Sequence, residues 1–246
     1  LSGDLDMPVH MHLLETEWEI KQSLQQHDRH PLGRLEQQGL LNSRLQAVHM
    51  AQLSEEDIDR VARSGAQVVH CPQSNLKLAS GFCPVASLQQ AGVNVALGTD
   101  GAASNNDLDL LAEAQTAALL AKGVSGDARA GSARQIIDML TINGARVLGL
   151  ADRIGSIESG KQADFCALDL CAPETQPLHH VLSQLVYAAS SRQVSDVWVA
   201  GRRVLESGRL TTIDIDDVLG RARSWQVKLA GLENRRLHAQ RQESAT

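Results

Sequence analysis

The sequence predicts an α/β protein with a parallel sheet, followed by a small β unit and a closing helix. Three observations carry this prediction. Up to about Leu150, short apolar runs alternate with helical stretches, the pattern of βα units in a parallel sheet. After Leu150 the texture changes to short alternating runs broken by glycine, and the end of the chain is charged and amphipathic. The corresponding boundaries are residues 1–150, 151–212 and 213–246.

"MPVHMHL" reads as the first strand, and "EWEIKQSLQQH" as a helix with Trp18, Ile20 and Leu24 at near-helical spacing. Gly33 to Leu41 continues in helical composition, and "RLQAVHM" is the second strand. The helix in "LSEEDIDRVARSG" opens on Ser54 and Asp57 in capping-box spacing, carries Ile58, Val61 and Ala62 as an apolar stripe, and stops at Gly65. "AQVVHC" is the third strand, and "PVASLQQAG" is a helix with Pro84 early and Gly92 as its stop. "VNVALGTDG" is the fourth strand. Long helices are expected over about Leu108–Lys122 and Ala133–Leu148, the second apolar at Ile136, Ile137 and Leu140. "GSIESGKQADFCALDL" and "VSDVWVAGRRVLESGRL" then supply short strands with glycine turns. "IDIDDVLGRARSWQVKLAGLENRRLHAQ" closes as an amphipathic helix, with a frayed tail expected after Arg241.

At 246 residues and 43% hydrophobic, the chain can bury a sizeable core in one large domain or one and a half. Its net charge of −6, with acidic and basic residues interspersed, argues against a nucleic-acid or anionic-membrane surface and leaves a small molecule as the expected partner. Cys71, Cys83, Cys166 and Cys171 form no CxxC pair and read as buried thiols of a reducing compartment. No apolar run approaches the roughly 20 residues of a membrane span. A cytoplasmic location is the expectation, although a targeting segment on a longer parent would lie outside this sequence.

Four polar groups fall at the C-terminal ends of the four strands: His12, His49, His70 and Asp100. In parallel α/β folds that end is where sites are built, because the loops converge there above a rigid sheet. A histidine and an aspartate on such strands offer N and O ligands to a cation such as Zn²⁺, which lowers the pKa of a water toward about 7. His12 and Asp100 fit this role, and His49 is placed to hydrogen-bond the water. Glu15, just past the first strand, suits a proton carrier between water and substrate. Taken singly, each has an ordinary reading. A strand-end histidine is commonly structural, and Asp100 in "GTDG" suits an Asx turn. The joint pattern makes the case. His70 stays open between a site role and fixing the Ser74–Asn75 loop, which leaves His27, His30, His179, His180 and His238 as solvated.

"HMHLLET", "AVHMAQLSEEDI", "VVHCPQSNLKLASG" and "LGTDGAASNNDLDL" resemble the strand-five to strand-eight motifs of the amidohydrolase superfamily. The branch is that of the aminohydrolases and chlorohydrolases, with methylthioadenosine/S-adenosylhomocysteine deaminases and triazine hydrolases among its members. "GSIESGKQADFCALDL" looks like the return into its small β-sandwich. The resemblance implies His12 as the strand-five metal ligand and Glu15 as the proton-shuttling acid. It implies His49 beside the water and substrate, and Asp100 as ligand and base. Glu15 and His49 would also contact the substrate. One divalent metal is implied, Zn²⁺ with Fe²⁺ as the alternative, together with a homo-oligomeric full-length parent. His10 matches no ligand, although residues two apart on a strand share a face.

A (β/α)₈ barrel needs about 250 residues, and only the portion before Leu150 has barrel texture. The chain therefore reads as the C-terminal half of a TIM barrel, then part of a β-sandwich and a C-terminal helix. Two strand edges and an apolar interior would be exposed, and two protein ligands in place of four would bind metal weakly. The implied reaction is hydrolytic deamination of an aminated heteroaromatic ring, most naturally the adenine of a thioether nucleoside. Two alternatives stand beside it. The same machinery serves a triazine chlorohydrolase or a guanine or cytosine deaminase, and a half barrel can be a non-catalytic module that needs a partner.

Overall fold

A computed structural model describes residues 2–243. A short helix α1 (Ser2–Leu5) precedes β1 (Val9–Leu13), α2 (Glu17–His27), α3 (Pro31–Gln37) and β2 (Leu45–His49). Then come α4 (Glu55–Ser64), β3 (Gln67–His70), α5 (Pro72–Lys77), α6 (Val85–Gln90) and β4 (Val95–Leu97). The four predicted strands all form. They pair in parallel in the order β1-β2-β3-β4, and one row of the register runs His12, Val48, Val69, Ala96.

Because side chains alternate along a strand, Leu13, Leu45, Ala47, Val68 and Val95 point into the helical layer. There they pack with Leu32, Val61, Leu88, Ile136 and Met139. His10 and His12 occupy the opposite face of β1 and are exposed, whereas every residue of β2 is buried. Among the described residues β1 and β4 each have one strand neighbour, so the sheet has two open edges.

Helix termini follow local chemistry. Ser54 and Asp57 make both halves of the predicted capping box on α4, and Gly65 ends it at φ 73°. In α2 the expected apolar stripe is not the buried face: Trp18 and Leu24 are exposed, Ile20 packs partly on the core, and Ser23 is buried with its hydroxyl donating to the Arg29 carbonyl. Helix α7 (Leu110–Ser125) starts later than predicted because the Asp109 side chain accepts from the Leu111 and Ala112 N–H groups. The predicted helix over 133–148 breaks at Thr141 into α8 (Ala133–Leu140) and α9 (Ile142–Val147). The break lets Asn143 Nδ2 donate to the Val95 carbonyl of β4 and the Asn143 carbonyl accept from Asn94. That tie outweighs the continuous helical pattern.

A second, antiparallel sheet joins β5 (Phe165–Leu168), β6 (Val194–Val199), β7 (Arg202–Glu206) and β8 (Arg209–Leu210). Between β5 and β6 lies α10 (Val181–Tyr187), which the sequence pattern did not reveal. His180, expected to be solvated, caps it by accepting from the Ser183 N–H. His30 also departs from that expectation, since it is half-buried with Nδ1 3.7 Å from Asp57. Cys71 and Cys83 are buried as expected, but Cys166 and Cys171 are exposed. Helix α11 (Ile215–Glu243) closes the described chain, and the end of the expected frayed tail lies outside the described residues. Among the described residues no helix is long and apolar enough to cross a membrane.

Gly98, just after β4, is a point of close approach. A Cβ there would meet Val69 Cγ1 at 2.8 Å and Cys71 Sγ at 3.2 Å. Gly98→Ala is therefore expected to cost about 1–3 kcal/mol by overpacking. Denaturant unfolding of the full-length protein checks this, and an unchanged midpoint would contradict the close approach.

Candidate metal centre

The parallel register brings the ends of β1, β2 and β4 to one side of the sheet, and the chain turns sharply there. Leu14, His49, Met50 and Asp100 all have left-handed backbone, with φ of 50°, 75°, 48° and 63°. Such conformations are costly away from glycine and cluster at functional sites. They are held by cross-loop hydrogen bonds, Ala51 and Gln52 N–H both donating to the Leu14 carbonyl.

These turns gather His12, His49 and Asp100, each offering one ligand atom, with those atoms all within 4.8 Å of one another. Among the described residues no other His, Cys, Asp and Glu group of this kind forms. His12 Nε2 lies 3.7 Å from Asp100 Oδ1, and His12 Nδ1 lies 3.2 Å from His49 Nε2. Glu15 sits beside both histidines, its Oε2 at 3.8 Å from His12 Nδ1 and 3.7 Å from His49 Nε2. Its Oε1 accepts from the Ser80 hydroxyl at 3.1 Å.

The protons can be placed from the partners. Asn75 Oδ1 lies 2.8 Å from His49 Nδ1, so that nitrogen donates and His49 Nε2 is the acceptor. His12 Nδ1 approaches that nitrogen, and His12 Nε2 faces the Asp100 carboxylate. An imidazole nitrogen and a carboxylate oxygen at this separation offer N and O ligands to a cation between them, a donor set that matches Zn²⁺.

Burial pushes the Asp100 carboxyl up. Hydrogen bonds from Ser104, Ser74 and the Gly101 N–H, with the neighbouring His49, nonetheless hold it below the usual carboxylate range, and it stays ionised. Ser74 Oγ donates to Oδ2 at 2.8 Å and Ser104 Oγ donates to the same oxygen. Sequence reasoning named the Ser74–Asn75 loop but not its contacts, which reach His49 and Asp100 26 residues away, nor the local one from Ser104. Ser80 on Glu15 was missed altogether.

His10 and His70 stay outside the cluster. His10 Nδ1 lies 2.9 Å from Gln46 Oε1. His70 is buried and its Nδ1 has no hydrogen-bond partner. Cys71 beside it is also buried, which pushes its thiol up to about 12 and keeps it from acting as a thiolate at neutral pH.

The amidohydrolase family pattern matches residues 2–204. The chain belongs to the amidohydrolase family. It is 53% identical over 228 residues to a 5-methylthioadenosine/S-adenosylhomocysteine deaminase of Teredinibacter turnerae, covering 93% of this chain and 52% of that protein. The protein of the same name from Saccharophagus degradans is 45% identical, at 93% and 51% coverage. Among solved structures, a zinc-bound adenosine deaminase from Xanthomonas campestris superposes with a TM-score of 0.92 at 54% identity, covering 94% of this chain and 52% of the other. Atrazine chlorohydrolase TrzN from Arthrobacter aurescens TC1, complexed with zinc, gives 0.85 at 26% identity, with coverages of 91% and 49%. This amidohydrolase chain thus spans about half the length of the curated relatives it matches.

Burial drives the His70 imidazole down to about 3 from its usual 6.5, with His49 adding to the effect. Below pH 6.5 the unfolded chain takes up a proton that the folded chain refuses, so stability is lost as pH falls from 6.5 toward 3. The slope is about 1.4 kcal/mol per pH unit for one proton. In His70→Asn this part of the slope is expected to vanish, and urea unfolding across that range measures it. An identical slope in both proteins would contradict a buried neutral His70.

Proposed function

We propose that this chain is the C-terminal half of a metal-dependent deaminase acting on an aminated heteroaromatic ring, with the adenine of a thioether nucleoside as substrate. The observation that carries this reading is the convergence of His12, His49 and Asp100, with Glu15 beside them, at the strand ends. The printed activities of the two half-matched deaminase relatives, at 53% and 45% identity, support the substrate class. In this reading β1–β4 are strands five to eight of a TIM barrel spanning 1–150. Residues 151–212 belong to a small β-sandwich, and 213–246 are the C-terminal helix and tail. The open edge of β1 and the exposed His10–His12 face are where the missing strands would pack.

His12 and Asp100 would hold the metal, Zn²⁺ by analogy with the zinc-bound structural neighbours. When bound, it lowers the pKa of a water toward about 7 and so provides a nucleophile at neutral pH. The remaining work falls to the side chains. His49, its Nδ1 proton committed to Asn75, presents an acceptor nitrogen to the water. Asp100, kept ionised by Ser74 and Ser104, takes the water's proton as oxygen adds to the ring carbon bearing the amine. Glu15 protonates the ring nitrogen, which receives the electron pair displaced from the C=N bond. The proton held by Asp100 passes to the amine, the C–N bond breaks and ammonia leaves with the electron pair of that bond. The added hydroxyl gives its remaining proton back to Glu15, and the oxygen stays on the ring as a carbonyl.

Displacement of chloride from a triazine by the same residues is the second reading, supported by the TrzN superposition. The higher identity to the deaminases favours the first.

In the full-length protein, Asp100→Asn is expected to abolish zinc retention and ammonia release from methylthioadenosine. Turnover at the unsubstituted rate would sink the assignment. Glu15→Gln should keep zinc, because Glu15 is not a ligand in this reading, yet lower kcat by about 10²–10⁴. Zinc lost together with activity in this variant would instead mark Glu15 as a ligand.

A further inference from the structure

Glu113 is a carboxyl with no relative exposure, on the first turn of α7. An ionisable group is costly to bury, and the other buried residues of this helix are all alanines. Its two oxygens have separate duties. Oε2 accepts the backbone N–H of Gln73 at 3.1 Å, and Oε1 accepts Asn105 Nδ2 at 2.5 Å. The Asn105 amide is fixed in that orientation because its Oδ1 accepts the Leu108 N–H at 2.6 Å.

The two donors belong to different segments. Gln73 lies in α5, next to Ser74 and Asn75, which bond Asp100 and His49 respectively. Asn105 follows Ser104, which bonds Asp100 from the other side. One buried carboxyl group therefore ties together the two segments that grip the candidate base and the histidine beside it.

We infer that Glu113 is a positioning residue for Asp100 and His49, setting the separation of the Ser74–Asn75 turn from the Ser104 loop through its two accepted hydrogen bonds. The naming of the reaction rests on the deaminase reading, but the geometry does not. A glutamine at this position keeps the shape and loses the second acceptor. Its amide NH₂ would face either the Gln73 N–H or the Asn105 NH₂, donor against donor.

The test uses full-length protein carrying Glu113→Gln, with the core variant Met139→Ala as a comparison for simple destabilisation. Three quantities are measured: thermal midpoint, zinc affinity by chelator competition, and kcat and KM for methylthioadenosine deamination. Glu113→Gln is expected to lose about 10–100-fold in zinc affinity or kcat, the size of effect seen when support of a metal ligand is removed, with KM nearly constant. Met139→Ala should lower the midpoint and leave both quantities unchanged per folded molecule. A Glu113→Gln protein that loses only thermal midpoint overturns the proposal.

A crystal structure of Glu113→Gln gives a reading independent of zinc and turnover. Loss of the Ser74 or Ser104 hydrogen bond to Asp100 is expected, and retention of both overturns the inference. If the unsubstituted protein binds zinc but releases no ammonia, the deaminase reading fails while the zinc and crystallographic comparisons still decide the role of Glu113. If Glu113→Gln does not fold, Asn105→Ala removes one of the two ties and carries the same readouts.

Discussion

The parallel register of four strands is the constraint on which the rest of the molecule depends. Hydrogen bonding between β1 and β2 sets His12 opposite Val48, so the next residue of β2, His49, falls at the same end as His12. A shift of one residue would send His12 into the helical layer and a core leucine out of it. The burial of Leu13, Leu45, Ala47 and Val68 in one cluster therefore fixes the position of the polar groups on the other face. Packing and site geometry are two results of one alignment.

Alignment alone leaves the side chains free to turn, and a second layer of polar contacts removes that freedom. Asn75 selects the His49 tautomer, Ser74 and Ser104 hold the Asp100 carboxylate, and Ser80 holds Glu15. Each supporting group comes from a loop after a different strand from the residue it holds, except Ser104, which lies four residues beyond Asp100. Groups so held lose little further freedom when a ligand or substrate arrives, which is how a site becomes preorganised. The left-handed backbone at His49 and Asp100 is tolerated because these contacts over-determine it.

Much of this was legible in the sequence. The four strands, the capping box of Ser54 and Asp57, and the residues at the strand ends follow from local pattern. What was not legible depended on distant partners. Thr141 breaks a helix because Asn143 reaches β4, and Asp109 rather than Leu108 governs the start of α7. The apolar Trp18 and Leu24 are exposed while Ser23 is buried, an inversion that helical spacing alone could not indicate. Glu113 did leave a signal: a charged residue in phase with the small buried face Ala117 and Ala121 of an otherwise apolar helix. A carboxyl placed there needs specific partners, and those partners are the site loops.

The strand that carries His12 is also one of the two edge strands of the parallel sheet among the described residues. A strand paired along that edge would restrict the backbone that presents the histidine, and a cation held by His12 and Asp100 would restrict the same backbone in turn. Two such events would be thermodynamically linked, each strengthening the other by the same factor. Closure of the sheet and loading of an ion would then be one cooperative step, and an ion held at full affinity would report that the edge had found its neighbour.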